Sequence, residues 1–249
     1  MWTDLPHPTV IAHRGDKAHA PENTLAAFEL AAEKGADAIE FDVKLTADGQ
    51  VIVLHDQTVD RTTNGKGNVS RLPLAALRDL DAGAWFSERF RAERIPTLEE
   101  VFETVGKRLL MNVELTNYAT PGDNLVARVM ELVKRYHFQD RTLFSSFLPR
   151  NLRMARMLSP EIPCGLLTMA GLSGFWGRTF GLHGNYFALH PYLTDANPRL
   201  IQHVHGIGKR LHVWTVNAEE DLKRMIHLDV DGIFTDDPGL ALDLLGRSK

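Results

Sequence analysis

Short apolar segments alternate with amphipathic ones along most of the chain, and this alternation restricts the folds available to it. The apolar segments are residues 9–13, 38–45, 51–55, 109–115, 142–147, 164–168, 186–190, 211–216 and 232–235. Helical periodicity occurs in residues 24–34, 98–105, 125–136, 151–158, 199–207 and 219–228. Strands that alternate with helices are typical of βαβ units around a parallel sheet.

The segment 51–55 is an exception to this alternation. Only "TADGQ" separates it from the preceding strand, which is too short for a parallel crossover, and Asp48-Gly49 is a hairpin signal. We therefore expect residues 51–55 to fold back antiparallel. The other eight strands predict an α/β fold, the (β/α)8 TIM barrel. An open doubly wound sheet is the alternative, but the first strand continues "HRGDKAHAPEN" without the Gly-rich dinucleotide fingerprint.

Length and composition predict a single domain over residues 1–249. With 44% hydrophobic and 24% charged residues, the chain has enough apolar material for a large core. Residues 56–95 contain no barrel strand and are expected to form an insertion after the second strand, with a short helix near residues 73–80. Helix N-caps are expected at Asn23, Asp123 and Asn217.

Charge and targeting signals restrict the partners and the compartment. The net charge of −4 argues against nucleic acid, whose recognition needs clustered Lys and Arg. The start "MWTDLPHPTVIAHRG" has no signal-peptide pattern and no apolar run reaches the length of a membrane span, so no stable membrane insertion is expected. Because Cys164 is the single cysteine, we expect no intramolecular disulfide and a cytoplasmic protein. The oligomeric state stays open.

Acidic residues interrupt two of the apolar segments. In "IEFDV", Glu40 and Asp42 share one face because side chains alternate along a strand. In "LLMNVELT" the same period places Asn112, Glu114 and Thr116 on one face, which we expect to turn toward the barrel mouth. Buried carboxylates repel each other and lose hydration, so a proton or a cation normally accompanies them.

The carboxylates of Glu40, Asp42 and Glu114 predict one divalent metal ion. Mg²⁺ and Ca²⁺ prefer oxygen ligands, whereas Zn²⁺ prefers His and Cys, so Mg²⁺ or Ca²⁺ is expected. The alternative is that these acids pair with Arg or Lys at the barrel rim.

Three basic residues should lie at the same mouth. His13 and His55 come from segments that bracket the acidic strand, and two imidazoles beside a cation suit proton transfer in both directions. Arg14 offers a bidentate fork to a phosphate or carboxylate oxygen. The sequence therefore predicts an anion site, and a phosphate is the favoured anion.

These residues lie in motifs that resemble the glycerophosphodiester phosphodiesterase family. In chain order the motifs are "AHRG", "PENT", "EFDVKLTADGQVIVLHD", "NVEL", "FSSF", "VWTVN" and "GIFTDDP". The resemblance implies a TIM-barrel hydrolase that splits a small-molecule glycerophosphodiester into glycerol 3-phosphate and an alcohol. It implies that the metal ligands are Glu40, Asp42 and Glu114.

The resemblance also implies roles for the basic residues. His13 and His55 look like the general acid and base, in an order left open, and Arg14 looks like the phosphate contact, with a cyclic glycerol phosphate as intermediate. Many members carry a lysine where this chain has Thr116, which predicts weaker phosphate binding or an altered substrate shape. Lys44 is expected to lie off the acidic face and therefore not to replace that lysine.

Several aromatic and basic residues leave two interpretations open. Trp214 is expected either to form a wall of the substrate pocket or to lie in the core. Residues 169–187, "MAGLSGFWGRTFGLHGNYF", should either pack outside the barrel or form an apolar lip at its mouth. Arg61 and Lys66 in "RTTNGKG" are expected at the solvated surface, with a contact from either to the substrate phosphate as the alternative.

Two alternative functions follow from these features. The apolar lip favours a lysophospholipase D-like or cyclising phospholipid-cleaving phosphodiesterase. The other alternative, of a different class, is a catalytically silent barrel used for binding. The presence of both histidines and all three acids argues against that silent barrel.

Overall fold

A closed ring of parallel strands forms the centre of the molecule in a computed structural model that describes residues 1–248. The strands are β1 (Thr9–His13), β2 (Ala38–Leu45), β3 (Val51–Val53), β4 (Leu110–Leu115), β5 (Thr142–Ser146), β6 (Cys164–Thr168), β7 (Ala188–Pro191), β8 (Arg210–Val213) and β9 (Gly232–Thr235). All except β3, which pairs antiparallel with β2, belong to the ring. β1 pairs with both β2 and β9, which closes the ring. The predicted TIM barrel is confirmed.

Helices surround this ring. They are α1 (Leu25–Lys34), α2 (Leu74–Arg78), α3 (Leu98–Val105), α4 (Leu125–Arg135), α5 (Pro149–Leu158), α6 (Phe175–Arg178), α7 (Pro198–Gly206), α8 (Glu219–His227) and α9 (Pro238–Leu244). Within residues 1–248, no helix has the length and apolarity to cross a membrane.

The strand β3 is the predicted antiparallel exception. It pairs with β2 through Val43 and Val53, and through Leu45 and Val51, so the two strands form a hairpin. This hairpin delivers the residues after β3 back toward the carboxyl end of β1, where His55 can meet the barrel mouth.

Strand parity divides the core into two layers. Ile39, Phe41 and Val43 of β2 are fully buried between the ring and the helices. The side chains at the alternate positions of the strands face the barrel interior. The lower part of that interior is filled by a cluster of Trp2, Ile11, Ala38, Leu110, Leu143 and Phe234. The polar residues of the mouth therefore sit directly above an apolar plug, on the same strands.

The helix N-caps differ from the predicted ones. Thr24 caps α1 through its hydroxyl, which accepts from the Ala27 amide. Asn124 and Ala218 occupy the cap positions of α4 and α8. The predictions were wrong by one residue at each helix. Asn23 and Asn217 use their side chains elsewhere, on Asp42 and Asp236, whereas Asp123 precedes the cap of α4 but still accepts from the Leu125 amide at 3.0 Å.

Residues 56–95 build a small layer with its own core. Its buried side chains pack with the hairpin strand β3, in a cluster of Ile52, Leu54, Val59, Val69, Leu77, Ala82 and Ile95. The short helix α2 lies inside the segment predicted to be helical. Arg78 of this layer donates to both carboxylate oxygens of Glu100 on α3, at 2.8 and 2.7 Å. The bidentate pair attaches the layer to the barrel.

Candidate active site

A cavity of about 230 Å³ opens at the carboxyl ends of the barrel strands. Its polar wall consists of His13, Arg14, Glu40, His55, Asn112 and Glu114. Trp214 lines it as well. The structure therefore brings most of the predicted site residues to one small volume. Asp42 is buried beside the cavity, and Thr116 lies outside its lining.

The three predicted metal ligands lie on two neighbouring strands. β2 and β4 pair in parallel, with Glu40 opposite Asn112 and Asp42 opposite Glu114. One carboxylate oxygen from each of Glu40, Asp42 and Glu114 lies within 4.8 Å of the other two. Two features produce this cluster. Strand alternation turns all three side chains to the interior, and the pairing register of β2 and β4 brings them to the same level.

The electrostatics of the cluster show which acids lack a counter-charge. Burial, with repulsion from Asp42 and Glu114, raises the pKa of Glu40 well above its usual range. Burial and Asp42 raise the pKa of Glu114 to about 8. Burial also opposes the charge of Asp42, but Arg14, His55, Lys44 and the hydrogen bond from Asn23 together hold the pKa of that carboxyl below its ordinary value.

The donor set fits a hard divalent cation. Among residues 1–248, the buried oxygen Oε1 of Glu40 has no hydrogen-bond partner. Arg14 Nε lies 3.3 Å from Asp42 Oδ2, but Glu40 and Glu114 form no ion pair with Lys or Arg in the described chain. Rim pairing therefore accounts for Asp42 alone. Oxygen ligands without a counter-charge are what Mg²⁺ and Ca²⁺ bind.

A second acidic cluster provides a contrast. Asp16, His19 and Asp237 also come together, but the ammonium of Lys34 lies 2.7 Å from Asp16 Oδ2 and 3.7 Å from Asp237 Oδ1. This cluster therefore has its own cation, a lysine side chain. The cluster at the barrel mouth has a deficit of positive charge by comparison.

His13 is held by a carboxylate at one ring nitrogen. Its Nδ1 lies 2.7 Å from Asp236 Oδ1, and Asn217 Nδ2 donates to the other oxygen of Asp236 at 2.9 Å. Burial opposes the charge of Asp236, but His13 and Lys17 together outweigh burial and lower the pKa of this carboxyl, so it is an acceptor. Nδ1 must then carry the proton, which leaves Nε2 as the nitrogen on the cavity side. Burial lowers the pKa of His13, and Asp236 opposes that shift.

His55 has the same arrangement on another element. Its Nδ1 lies 2.6 Å from Asp56 Oδ1, and the hydrogen bonds from Arg61 hold the pKa of Asp56 well below its usual range. Its Nε2 is therefore also left for a ligand. His55 is half-exposed, whereas His13 is largely buried.

Arg14 is positioned by an unusual backbone. Its φ of 58° lies in the left-handed region, and its amide donates to the backbone oxygen of Glu40 at 2.9 Å and to Glu40 Oε2 at 3.1 Å. The next residue is Gly15 at φ 83°, where a Cβ would lie 2.7 Å from the Ala27 backbone. The "HRG" turn therefore needs its glycine, and it points the guanidinium at the acids.

A continuous network joins the two loops that carry His13 and His55. Arg61 donates to both oxygens of Asp56, at 2.8 and 3.1 Å, and to both oxygens of Glu22, at 2.9 and 2.8 Å. Glu22 Oε1 accepts from Arg14 NH1 at 2.8 Å. Arg61 is exposed at the surface, as predicted, with 44% of its side chain accessible, but its donors engage two carboxylates of the site.

The structure corrects the interpretation of Lys44. Residues 40, 42 and 44 share one parity, so Lys44 lies on the acidic face rather than off it. Its buried ammonium donates to Thr116 Oγ1 at 2.8 Å and to the Thr116 backbone oxygen at 3.0 Å. The Thr116 hydroxyl donates in turn to the Val43 backbone oxygen at 2.8 Å. Thr116 is thus engaged with β2 and does not reach the cavity.

The opposite wall of the cavity is apolar. It consists of Phe147, Leu167, Met169, Trp214 and Phe234. Trp214 packs edge-to-face on Phe147 with ring centroids 5.6 Å apart, and its Nε1 donates to the His190 backbone oxygen at 2.8 Å. The indole is therefore fixed in the cavity wall, and its contact with a substrate stays a prediction.

Sequence reasoning missed Tyr118 and Asp56 as site residues, and it predicted the face of Asn112 but not its contacts. Tyr118 Oη donates to Glu114 Oε1 at 2.7 Å. Asn112 Nδ2 donates to Ser145 Oγ at 2.9 Å, while Asn112 Oδ1 has no hydrogen-bond partner within residues 1–248. Asp56 was the most accessible of these from sequence, since it follows His55 directly in "HD".

Comparison with known proteins decides the family. A sequence model of the glycerophosphoryl diester phosphodiesterase family matches residues 13–240. The chain belongs to the glycerophosphoryl diester phosphodiesterase family. The match covers every polar residue of the cavity wall, so the family resemblance and the assembled site concern the same residues.

Relatives of this phosphodiesterase match it over nearly their whole length. A glycerophosphodiester phosphodiesterase of Caldanaerobacter subterraneus subsp. tengcongensis is 44% identical over 239 residues, covering 96% of this chain and 98% of the relative. One of Bacillus subtilis is 34% identical and covers 92% of this chain and 84% of the relative. A solved phosphodiesterase of Oleispira antarctica, in complex with the product sn-glycerol 3-phosphate, matches with a TM-score of 0.90 at 33% identity over 98% of each chain. This phosphodiesterase is accordingly an enzyme, a phosphoric diester hydrolase.

Proposed function

We propose that the enzyme hydrolyses glycerophosphodiesters to glycerol 3-phosphate and an alcohol, with a divalent metal ion and with His13 and His55 as general acid and base. The observation that carries this proposal is the pair of imidazoles, each held at Nδ1 by a carboxylate, beside three clustered acids in one cavity. The product bound by the Oleispira antarctica relative supports glycerol 3-phosphate as the product here.

Glu40, Asp42 and Glu114 would hold the metal ion, since their oxygens form a cluster with a deficit of positive charge. Mg²⁺ and Ca²⁺ suit this all-oxygen set. When bound, such an ion supplies Lewis-acid polarisation of the phosphoryl group.

Arg14 would bind the phosphate. Glu22 and Asp42 hold its guanidinium on the cavity wall, and both raise its pKa against the effect of burial, so it stays charged. A fixed guanidinium can donate to two oxygens of a phosphodiester. It also stabilises the negative charge that grows on those oxygens during attack.

The two histidines would move the protons. One Nε2 accepts the proton of the attacking hydroxyl, and the other donates a proton to the departing alcohol. Asp236 and Asp56 keep both rings in the tautomer that has Nε2 on the cavity side. The attacking oxygen comes from water or from the neighbouring glycerol hydroxyl, and the latter gives a cyclic phosphate that water then opens.

Release of glycerol 3-phosphate from glycerophosphocholine tests the reaction. We expect turnover with Mg²⁺ or Ca²⁺, loss of turnover with a chelator, and a large loss in His13→Ala and His55→Ala. His203→Ala, at an exposed histidine on α7, is the control and should keep full activity. Absence of turnover with Mg²⁺, Ca²⁺ and Mn²⁺ would favour the silent binding barrel instead.

Thermal unfolding tests the metal site without activity. Saturating Mg²⁺ or Ca²⁺ should raise the unfolding temperature of the wild type by about 5–10 °C at a hundredfold excess over Kd. Glu114→Gln should abolish that rise. Glu103→Gln is a matched control, because Glu103 also accepts from a tyrosine hydroxyl at 2.7 Å but lies on the exposed surface of α3. A full cation-induced rise in Glu114→Gln would count against the proposed ligand set.

A further inference from the structure

The chain between β6 and β7 exposes large apolar side chains at the barrel mouth. Met169, Leu172, Phe175, Trp176 and Phe180 are 50, 92, 54, 57 and 68% exposed, and we call this group the apolar rim. Five large apolar side chains within 12 residues are far more than scattered surface exposure produces. A patch of this kind marks a binding surface.

The apolar rim is held in place by polar contacts of its own backbone. Arg178 NH1 donates to the Met169 backbone oxygen at 2.6 Å, and its NH2 donates to that of Gly171. Asp195 pairs with Arg178 at 3.0 Å and accepts from the Gly171 amide at 3.1 Å. The segment is therefore fixed while its aromatic side chains face water.

Glycine explains why the apolar side chains point outward. A Cβ on Gly177 would lie 2.5 Å from Thr168 Cγ2, so α6 rests on β6 through a residue without a side chain. Leu182 is buried beneath the segment and attaches it to the main core. The inner face of the segment is thus already occupied, and the rim side chains have no room to turn inward.

The apolar rim continues the apolar wall of the catalytic cavity. Met169 belongs to both, since it lines the cavity and is half-exposed. Leu167 and Trp214 extend the same wall toward the acids and histidines. An apolar path therefore leads from the reacting centre to the outer surface.

We propose that the apolar rim binds the acyl chain of a monoacyl glycerophosphodiester, so that the enzyme also hydrolyses lysophospholipids. This inference rests on the proposed function of the cavity. In the net reaction the bond between phosphorus and the head-group oxygen breaks and a bond from the oxygen of water to phosphorus forms. The proton of water goes to the departing head-group oxygen, which yields a monoacylglycerol phosphate and a free alcohol.

The charge of the segment favours an acyl chain over a charged partner. Residues 169–183 contain no Asp or Glu, and their one arginine, Arg178, is already paired with Asp195. Apart from the exposed His183, no side chain of this segment is free to offer a charge to a complementary protein or anionic surface. A neutral chain of methylene groups, attached to a glycerol held in the cavity, matches both its chemistry and its position.

Substrate chain length tests the inference. We would compare glycerophosphocholine with lysophosphatidylcholines of six and twelve acyl carbons, all below their micelle concentrations. Burial of one methylene group strengthens binding about fourfold. We therefore expect kcat/KM to rise about tenfold or more from the six-carbon to the twelve-carbon substrate. The double variant Leu172→Ser/Phe180→Ser changes the two most exposed rim residues and should lose most of that rise while keeping wild-type turnover of glycerophosphocholine. Met157→Ser, at an 80% exposed methionine on α5, is the control and should keep the rise.

The outcomes separate this inference from the proposed function. Turnover of glycerophosphocholine without any dependence on acyl length, or equal chain dependence in the rim variant and the wild type, overturns the acyl-chain site alone. Absence of turnover of glycerophosphocholine in the wild type overturns the proposed function. An unfolding temperature that matches the wild type shows that the rim variant is folded.

Discussion

At the scale of single residues, the site consists of two carboxylate–histidine pairs and an acidic cluster in one cavity. Asp236 holds His13, and Asp56 holds His55, each at Nδ1. The pairs differ in exposure, with His13 largely buried and His55 half-exposed. Because both histidines make the same kind of hydrogen bond, the geometry does not show which is the acid and which is the base, and a chemical test is needed.

The leaving group distinguishes the acid from the base. An alcohol such as choline needs a proton as it departs, whereas p-nitrophenolate departs without one. Replacing the acid histidine by alanine should lower kcat about 100-fold or more with glycerophosphocholine. The same substitution should lower kcat far less with the p-nitrophenyl ester of glycerol phosphate. Ala at the base histidine should impair both substrates alike. Equal losses on both substrates for both variants would contradict the division of roles.

Arg61 should act as a positioning residue for both loops. Arg61→Gln removes the link between Asp56 and Glu22, and we expect kcat/KM to fall about 10-fold to 100-fold because small displacements of catalytic groups are costly. Arg61→Lys should retain only part of the kcat/KM that Arg61→Gln loses, since an ammonium lacks the planar fork of a guanidinium. Arg91→Gln, whose pair with Glu88 lies elsewhere in residues 56–95, is the control.

A double-mutant cycle shows whether the Arg61 effect passes through Asp56. Because both residues belong to one network, Asp56→Asn and Arg61→Gln should be strongly non-additive in kcat/KM. Additive losses would mean that Arg61 acts through stability or through another contact. Unchanged kinetics in Arg61→Gln would remove the positioning role altogether.

At the scale of elements, β2 and β4 present the site through strand alternation. β2 places Glu40, Asp42 and Lys44 on its interior face, and β4 places Glu114 opposite Asp42. The Lys44 ammonium lies against Thr116, where many relatives are expected to carry a lysine of their own. A positive charge is therefore present near that position, but it comes from the neighbouring strand.

Exchanging the lysine between the two strands tests this arrangement. Thr116→Lys places a second ammonium beside Lys44 in a buried volume, and we expect the free energy of unfolding to fall by roughly 2–3 kcal/mol. Lys44→Met/Thr116→Lys keeps one ammonium and should recover most of that stability while lowering KM for glycerophosphocholine. Thr116→Ser, which keeps the hydroxyl, is the control. Unchanged KM and kcat in both lysine variants would end the hypothesis of weaker phosphate binding.

At the scale of the whole molecule, the closed barrel buries two histidines that do not line the catalytic cavity. His190 and His212 stack in the interior with ring centroids 5.0 Å apart, and Trp2 stacks on His212 from the N-terminal segment. Within residues 1–248 no hydrogen bond reaches a ring nitrogen of either histidine. Burial lowers the pKa of His190 well below its usual range and that of His212 to about 4.

This buried pair predicts a pH dependence of stability. The unfolded chain takes up protons on these imidazoles below about pH 6.5, and the folded chain does not, so the free energy of unfolding should decrease as pH falls from about 6.5 to about 4. His212→Phe removes one such group and should reduce that decrease by up to about 3 kcal/mol. Denaturant unfolding at several pH values measures it, with the exposed His203→Gln as the control. Parallel pH profiles for wild type and His212→Phe would contradict this account.

The sequence by itself determined the strands, the helices and the barrel, because burial forces a period of two or 3.6 on the apolar residues and TADGQ is too short for a crossover. It also determined that Glu40, Asp42 and Glu114 would share the interior face. Only the tertiary structure decided which side chains pair across the mouth, such as Arg61 with Glu22 and Asp236 with His13, which are 39 and 223 residues apart. Those contacts depend on how the barrel closes and how its loops fold, and neither produces a periodic pattern in the local sequence.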